Sequence, residues 1–255
     1  MAAGSHLARS QKIVKEVVPL MYQGLVVFDV DGTLIREKTV CEVIAAKIDR
    51  VERMDWLERS AGSSRASHSA PAVDLTITAR EEMADWYIEA GRDSVDSFFD
   101  SLIWAEGTHA GIKSLQENGW LVALASLTWS FGVERIAAAL GIDESLGTGL
   151  DWDTKQIDHV YAGDKVDFLQ RMAAKYEIPA DRTYAVGDSG GDIPMLKAAS
   201  HGFYLGDSDP QIPGVTHLSE ASIDTIANHI LHPQNNDHTH DCHPPLDTSH
   251  SNDQN

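Results

Sequence analysis

The chain has 255 residues, 42% of them hydrophobic, enough for one substantial α/β domain plus a smaller one and too apolar for a disordered polymer. Its formal net charge of −19 repels phosphate backbones and anionic lipid, which sets aside nucleic acid and membrane surfaces as main partners. Cys41 and Cys242 lie too far apart to suggest a disulfide framework. No run approaches ~20 apolar residues, and Met1 to Gln23 lacks a signal-peptide pattern, so the expectation is a soluble, cytoplasmic protein.

Leu25-Val26-Val27-Phe28 is a continuous apolar run ending in Asp29, as suits a buried parallel strand, and Gly32 then turns the chain. A charged helical stretch is expected from about Val40 to Glu58, a loop over Ser60 to Ala72, and further helical stretches from about Thr78 to Gly91 and Ser94 to Trp104. A helix carrying Ile112, Leu115 and Gln116 stops at Asn118-Gly119. Leu121 to Ala125 reads as a second buried strand, ending at Ser126. Val133, Ile136, Ala137 and Leu140 then recur at helical spacing until Gly141. A β excursion is expected from about Leu150 to Ala162. A helix starts near Lys165 and carries Val166, Leu169, Met172 and Ala173. Thr183 to Val186 is a third strand, ending at Gly187-Asp188. A helix over Ile193 to Ala199, a strand over Phe203 to Leu205 and a helix from about Glu220 to Leu231 complete the pattern.

This alternation predicts a Rossmann-like α/β core with a parallel central sheet and helices on both faces. Residues from about Arg36 to Ala105 interrupt it and read as an inserted helical cap domain. The expected division is an N-terminal extension (1–24), a core (25–35 and 106–231), a cap (36–105) and a tail (232–255). The tail holds five His and six Asn or Gln, and no Lys or Arg follows Lys197, so it is expected to be disordered.

Ligands of open α/β sheets bind beyond the carboxyl ends of the strands. Asp29 and Asp31 follow the first strand, two apart and therefore on one side of an extended chain. Asp188 and Asp192 follow the third. Four carboxylates meeting there repel one another unless a cation sits among them, and hard oxygen ligands of this kind suit Mg²⁺. Ser126 can donate a hydroxyl hydrogen bond to a phosphoryl oxygen and Lys165 can supply positive charge, the two needs of phosphoryl transfer. Each has a plainer reading. Asp192 can cap the helix before Pro194, Ser126 or Thr128 can cap the next helix, and Lys155 is an alternative to Lys165. Trp129 can line a pocket or fill the core, and Cys41 can be a small buried apolar residue.

Taken together, Asp29-Val30-Asp31-Gly32-Thr33, Ser126, Lys165 and Gly187-Asp188-x-x-x-Asp192 resemble the four motifs of the haloacid dehalogenase superfamily, in order, over about Leu25 to Gly206. The cap position, Ala162-Gly163 before Lys165 and Asp192-Ile193-Pro194-Met195-Leu196 are similar to phosphoserine phosphatases. The resemblance implies that Asp29 attacks phosphorus and that Asp31 protonates the leaving alcohol and then activates water. It implies that Ser126, Lys165 and Gly32 hold the phosphate. It also implies that Mg²⁺ is held by Asp29, the Asp31 carbonyl and Asp188, with Asp192 close by.

The substrate side departs from that family. Lys38, beside Glu37, stands where the family has a Glu for the substrate amino group, and Leu127 and Thr128 replace a Gly-Gly pair. Arg65 and Arg80 are unaligned candidates for the family's carboxylate-gripping Arg. The expectation is a phosphomonoesterase for a small phosphorylated metabolite other than phosphoserine, with Arg36 and Lys38 favouring a second anionic group. The alternatives are a phosphotransferase and a non-catalytic phospho-ligand binder.

Overall fold

The computed structural model describes residues 22–65, 71–219 and 221–233; the N-terminal extension up to residue 21 and the tail beyond 233 lie outside them. Strand β1 (Gly24–Phe28) is buried at all five positions. Its side chains alternate between two cores: Val26 and Phe28 enter one, Leu25 and Val27 the other. Burial on both faces is why the run is continuously apolar.

Next comes the helical insertion: α1 (Val40–Lys47), α2 (Val51–Arg65), α3 (Pro71–Ala90), α4 (Arg92–Asp96) and a 3₁₀ turn (Phe99–Ser101). The single helix expected over Val40 to Glu58 is two. Asp49 between them takes φ 57°, a left-handed conformation that Asp tolerates better than most residues. The loop expected over Ser60 to Ala72 is corrected at its two ends, since α2 reaches Arg65 and α3 starts at Pro71; residues 66–70 lie outside the described residues. Proline is suited to a first helical position because its missing N–H has no partner there.

The core continues with α5 (Thr108–Glu117), β2 (Trp120–Trp129), α6 (Ser130–Leu140), β3 (Glu144–Leu150), β4 (Ile157–Asp158) and α7 (Ala162–Lys175). It ends with β5 (Thr183–Gly187), α8 (Ile193–Ala198), β6 (His201–Tyr204), β7 (Val215–His217) and α9 (Ile223–Leu231). The sheet order is β4-β3-β2-β1-β5-β6-β7, every pair parallel except β3 with β4. β1 sits at the centre, Val26 in register with Val122 and Tyr184. Helices α7 and α8 cover one face through Phe168, Leu169, Met172, Met195 and Leu196. Helices α5, α6 and α9 and the insertion share the other core. Among the described residues no helix is long and apolar enough to cross a membrane.

Strands β3 and β7 depart from the sequence expectation. β3 has two glycines and mostly half-buried positions, so it carries no apolar run and owes its form to pairing with β2. β7 has only three residues, too few to show a period.

Helix α5 packs on α9 through Gly111. A Cβ there would stand 2.6 Å from the Ile223 carbonyl oxygen, inside any real contact, and the obstacle is backbone. Alanine gains about 1 kcal/mol in helix propensity, whereas forced overpacking costs about 1–3 kcal/mol. Gly111→Ala is therefore expected to lower Tm by several degrees in a thermal melt.

Candidate active site

Because the central strands run parallel, their carboxyl ends share one edge of the sheet. Asp29 follows β1 and donates its amide to the Val186 carbonyl of β5 at 2.9 Å. Lys165, in the first turn of α7, places its Nζ 2.6 Å from Asp29 Oδ1 and 2.6 Å from Asp192 Oδ1. Exposures of 4% for Asp29, 1% for Lys165 and 0% for Asp192 make this a dry cluster in which charge is not screened by water. Lys155, the alternative lysine, pairs instead with Asp85 of α3 at an exposed position.

The loop after β5 closes on itself through Asp192. The second oxygen of Asp192 accepts from the Ser189 hydroxyl at 2.7 Å and from the amides of Ser189 and Asp188 at 3.0 and 3.3 Å. Asp192 occupies the N-cap position of α8, yet its side chain makes no capping bond and turns back into the loop. Asp188 is half-buried and accepts from the Thr33 hydroxyl at 3.0 Å. Gly32 has φ +82°, and a Cβ there would lie 2.1 Å from Asp188 Oδ2, so the turn after Asp31 needs glycine twice over.

Asp31 faces elsewhere. Its Oδ1 accepts from the Val40 amide at 2.7 Å, at the start of α1. That end is fixed by a capping box: the Glu42 amide donates to the Thr39 hydroxyl, and the Thr39 amide to the Glu42 carboxylate. The orphan amides and dipole of a helix N-terminus suit a carboxylate. Two aspartates two residues apart thus have different surroundings, one against a lysine and the other against a helix end.

Ser126 lies in β2, 2% exposed, where the ladder to β3 shifts register between Ala125 and Trp129, and its Oγ accepts from the Thr128 amide at 3.3 Å. The Thr128 hydroxyl lies 3.3 Å from the Cys41 sulfur of α1. The Leu127 carbonyl accepts from Arg80 at 2.9 Å and from the Thr148 hydroxyl at 3.0 Å. The same Arg80 nitrogen donates to the Val160 carbonyl at 2.9 Å. Arg80, on α3, therefore fastens the insertion to the last residues of β2 and to the segment before α7. Arg36 is half-buried and donates to the Gly32 carbonyl; Glu37 and Lys38 are exposed. Thr33, Ser189 and the Thr39–Glu42 box were not singled out from sequence, although the Thr-x-x-Glu spacing was a readable signal for the last.

A profile of haloacid dehalogenase-like hydrolases matches residues 26–197. The chain belongs to that family. Within it the chain is phosphoserine phosphatase-like and a phosphatase. It is 31% identical over 186 residues to the phosphoserine phosphatase of Idiomarina loihiensis, covering 70% of this chain and 80% of the relative. It is 27% identical to that of Lactococcus lactis subsp. lactis, covering 71% and 82%. A solved phosphoserine phosphatase holding an analogue of a phospho-aspartyl intermediate superposes with TM-score 0.63 at 21% identity, over 79% of this chain and 95% of that one. A haloacid dehalogenase family hydrolase from Salmonella enterica superposes with TM-score 0.68 at 17% identity, over 84% and 72%.

Phosphatases of this family generally use Mg²⁺, and the donor set here fits one. Oxygens of Asp29, Asp188 and Asp192 lie within 4.8 Å of one another, three carboxylates against one ammonium. Burial, then the Asp192 charge, holds the Asp29 carboxyl well above the usual carboxylate range, with Lys165 opposing. Burial, again followed by Asp192, lifts Asp188 to about 6. Between the unfolded value of about 3.9 and about 6, the metal-free fold holds a proton that the unfolded chain has released, so stability falls as pH rises through that window. The upper bound is about 3 kcal/mol. Mg²⁺ competes with that proton. The Tm rise on adding Mg²⁺ is therefore expected to be larger at pH 7.5 than at pH 5; an equal rise would deny Asp188 a place at the metal.

Proposed function

We propose that this chain is a Mg²⁺-dependent phosphomonoesterase that works through an aspartyl-phosphate on Asp29, with the helical insertion (36–105) as a cap over the site. The observation that carries it is the division of labour between the paired aspartates: Asp29 lies in the Lys165, Asp188 and Asp192 cluster, and Asp31 stands apart at the α1 N-terminus. Asp29, the Asp31 carbonyl and Asp188, with Asp192 close by, are the groups that would hold Mg²⁺, and the bound ion would offset negative charge on the phosphoryl oxygens. An Asp29 oxygen attacks phosphorus, the bond to the leaving oxygen breaks, and Asp31 delivers its proton to that oxygen. Asp31 then takes a proton from the water whose oxygen attacks phosphorus, and the bond to Asp29 breaks. Ser126, Lys165 and the Gly32 turn hold the transferring group.

The substrate is a small phosphorylated metabolite distinct from phosphoserine. Four positions support that reading: Lys38 in place of an acidic residue, Leu127 and Thr128 in place of two glycines, and Arg80 engaged by two backbone carbonyls. The test is phosphate release from a panel of phosphate monoesters, with Mg²⁺ and with chelator. Release that requires Mg²⁺ and is confined to a few esters is expected. Release only when an acceptor alcohol is added, with the phosphate found on that alcohol, would make the chain a phosphotransferase; no release under either condition would sink both.

A further inference from the structure

Ser126 is 2% exposed, and its hydroxyl hydrogen has no acceptor among the described residues. A serine hydroxyl has one hydrogen to donate and two lone pairs to accept with. One lone pair takes the Thr128 amide at 3.3 Å, which turns the hydrogen away from that amide. A buried donor of this kind calls for a partner, and an incoming phosphoryl oxygen is one. The peptide between Leu127 and Thr128 is planar and trans, so its C=O and N–H point in opposite directions. Whatever holds the Leu127 carbonyl therefore aims the Thr128 amide, and through it the Ser126 hydroxyl. Two donors hold that carbonyl, Arg80 at 2.9 Å and the Thr148 hydroxyl at 3.0 Å.

The two donors close a ring. The Thr148 hydroxyl oxygen also accepts from the Val160 amide at 3.4 Å, and the Arg80 nitrogen that reaches Leu127 also donates to the Val160 carbonyl at 2.9 Å. Arg80, Thr148 and Val160 are all buried, so water does not compete for these bonds. Val160 lies just ahead of α7, whose first turn carries Lys165. The ring thus joins the part of β2 that carries Ser126 to the segment that leads into Lys165. Resting on the phosphatase reading above, we propose that Arg80 and Thr148 are positioning residues for Ser126. They fix the Leu127 carbonyl so that the Thr128 amide occupies the serine oxygen and leaves its hydrogen to donate to a phosphoryl oxygen. Thr148 acts from β3 of the core and Arg80 from α3 of the insertion, so the grip on phosphate depends on the insertion being docked. Both act through the peptide, and neither contacts the phosphoryl group.

The test measures the dissociation constant of inorganic phosphate with Mg²⁺ on the full-length chain, in the wild-type and Ser126→Ala backgrounds. Phosphate has no organic part, so a side chain that only grips a leaving group does not alter its affinity. Thr148→Val keeps the shape and deletes the hydroxyl. It is expected to weaken phosphate about tenfold in the wild-type background and less than about twofold once Ser126 is alanine. Arg80→Met is expected to follow the same pattern, and Arg80→Lys, which keeps one charged donor, to recover part of the loss. If Arg80→Met does not fold, Thr148→Val decides the matter alone. Equal weakening in both backgrounds would overturn the proposal, because the site would then be loosened generally and not through Ser126. Unchanged affinity in Thr148→Val would overturn it as well. Turnover of p-nitrophenyl phosphate reports separately on the phosphatase reading. Coupling to Ser126 without hydrolysis of any ester would sink that reading and leave this one standing, and hydrolysis without coupling would do the reverse.

Discussion

Asp29→Asn is expected to abolish phosphate release, by a factor of about 10⁴ or more, and at the same time to raise the Tm of the metal-free protein. The first effect follows from chemistry, since an amide oxygen does not replace a carboxylate as nucleophile. The second follows from the site's charge. Three carboxylates share one ammonium, and burial with the Asp192 charge already outweighs Lys165 in setting the Asp29 proton affinity. Asparagine has nearly the same shape and can still accept from Lys165, while one uncompensated charge disappears from a dry cluster. The gain is on the order of 1–2 kcal/mol, or a few degrees for a domain of this size. Adding Mg²⁺ should narrow or invert the difference, because the wild type has more negative charge to offer it. Calorimetry in chelator and in Mg²⁺, alongside a phosphate-release assay, checks all three parts. A lower Tm for Asp29→Asn in chelator would mean that the ion pair with Lys165 outweighs the repulsion.

The edge where the acids meet was legible because its residues follow strands that are buried on both faces. β1 is a continuous apolar run, β5 is buried throughout, and in a parallel sheet their ends must meet, so Asp29 and Asp188 come together without further information. The arrangement of the acids was less legible. That Asp192 turns back to Ser189 and reaches Lys165, instead of capping α8, depends on contacts between residues distant in the chain. The insertion was the least legible part. Asp49 splits one expected helix with a single left-handed residue, and the small residues expected to form a loop continue α2. Arg80 illustrates the limit. Its position on a helix was readable, but its bonds run to carbonyls 47 and 80 residues away, and no local pattern encodes them.

Lys165→Met is expected to combine the largest loss of stability with a loss of activity. Methionine roughly fills the lysine stem, so little cavity opens, and the effect isolates the charge. Asp29 and Asp192 then lose their shared donor at 4% and 0% exposure. Removing one partner from a buried ionic cluster costs about 3–5 kcal/mol, well above the value of any surface pair. The loss should depend on pH in a definite direction. Without the ammonium, the Asp29 carboxyl is pushed still further above its unfolded value, so the folded variant takes up a proton as pH falls. The deficit relative to wild type is therefore smaller at low pH and grows as pH rises. Mg²⁺ should recover part of it at pH 7.5 by restoring positive charge among the same carboxylates, without restoring turnover, because the phosphoryl oxygens still lack the Lys165 donor; one such donor is worth about 10²–10³ in rate. Urea unfolding of both proteins from pH 4.5 to 8, with chelator and with Mg²⁺, measures this directly. A deficit that does not change with pH would show that lost packing, not the stranded carboxylates, is what destabilises the variant.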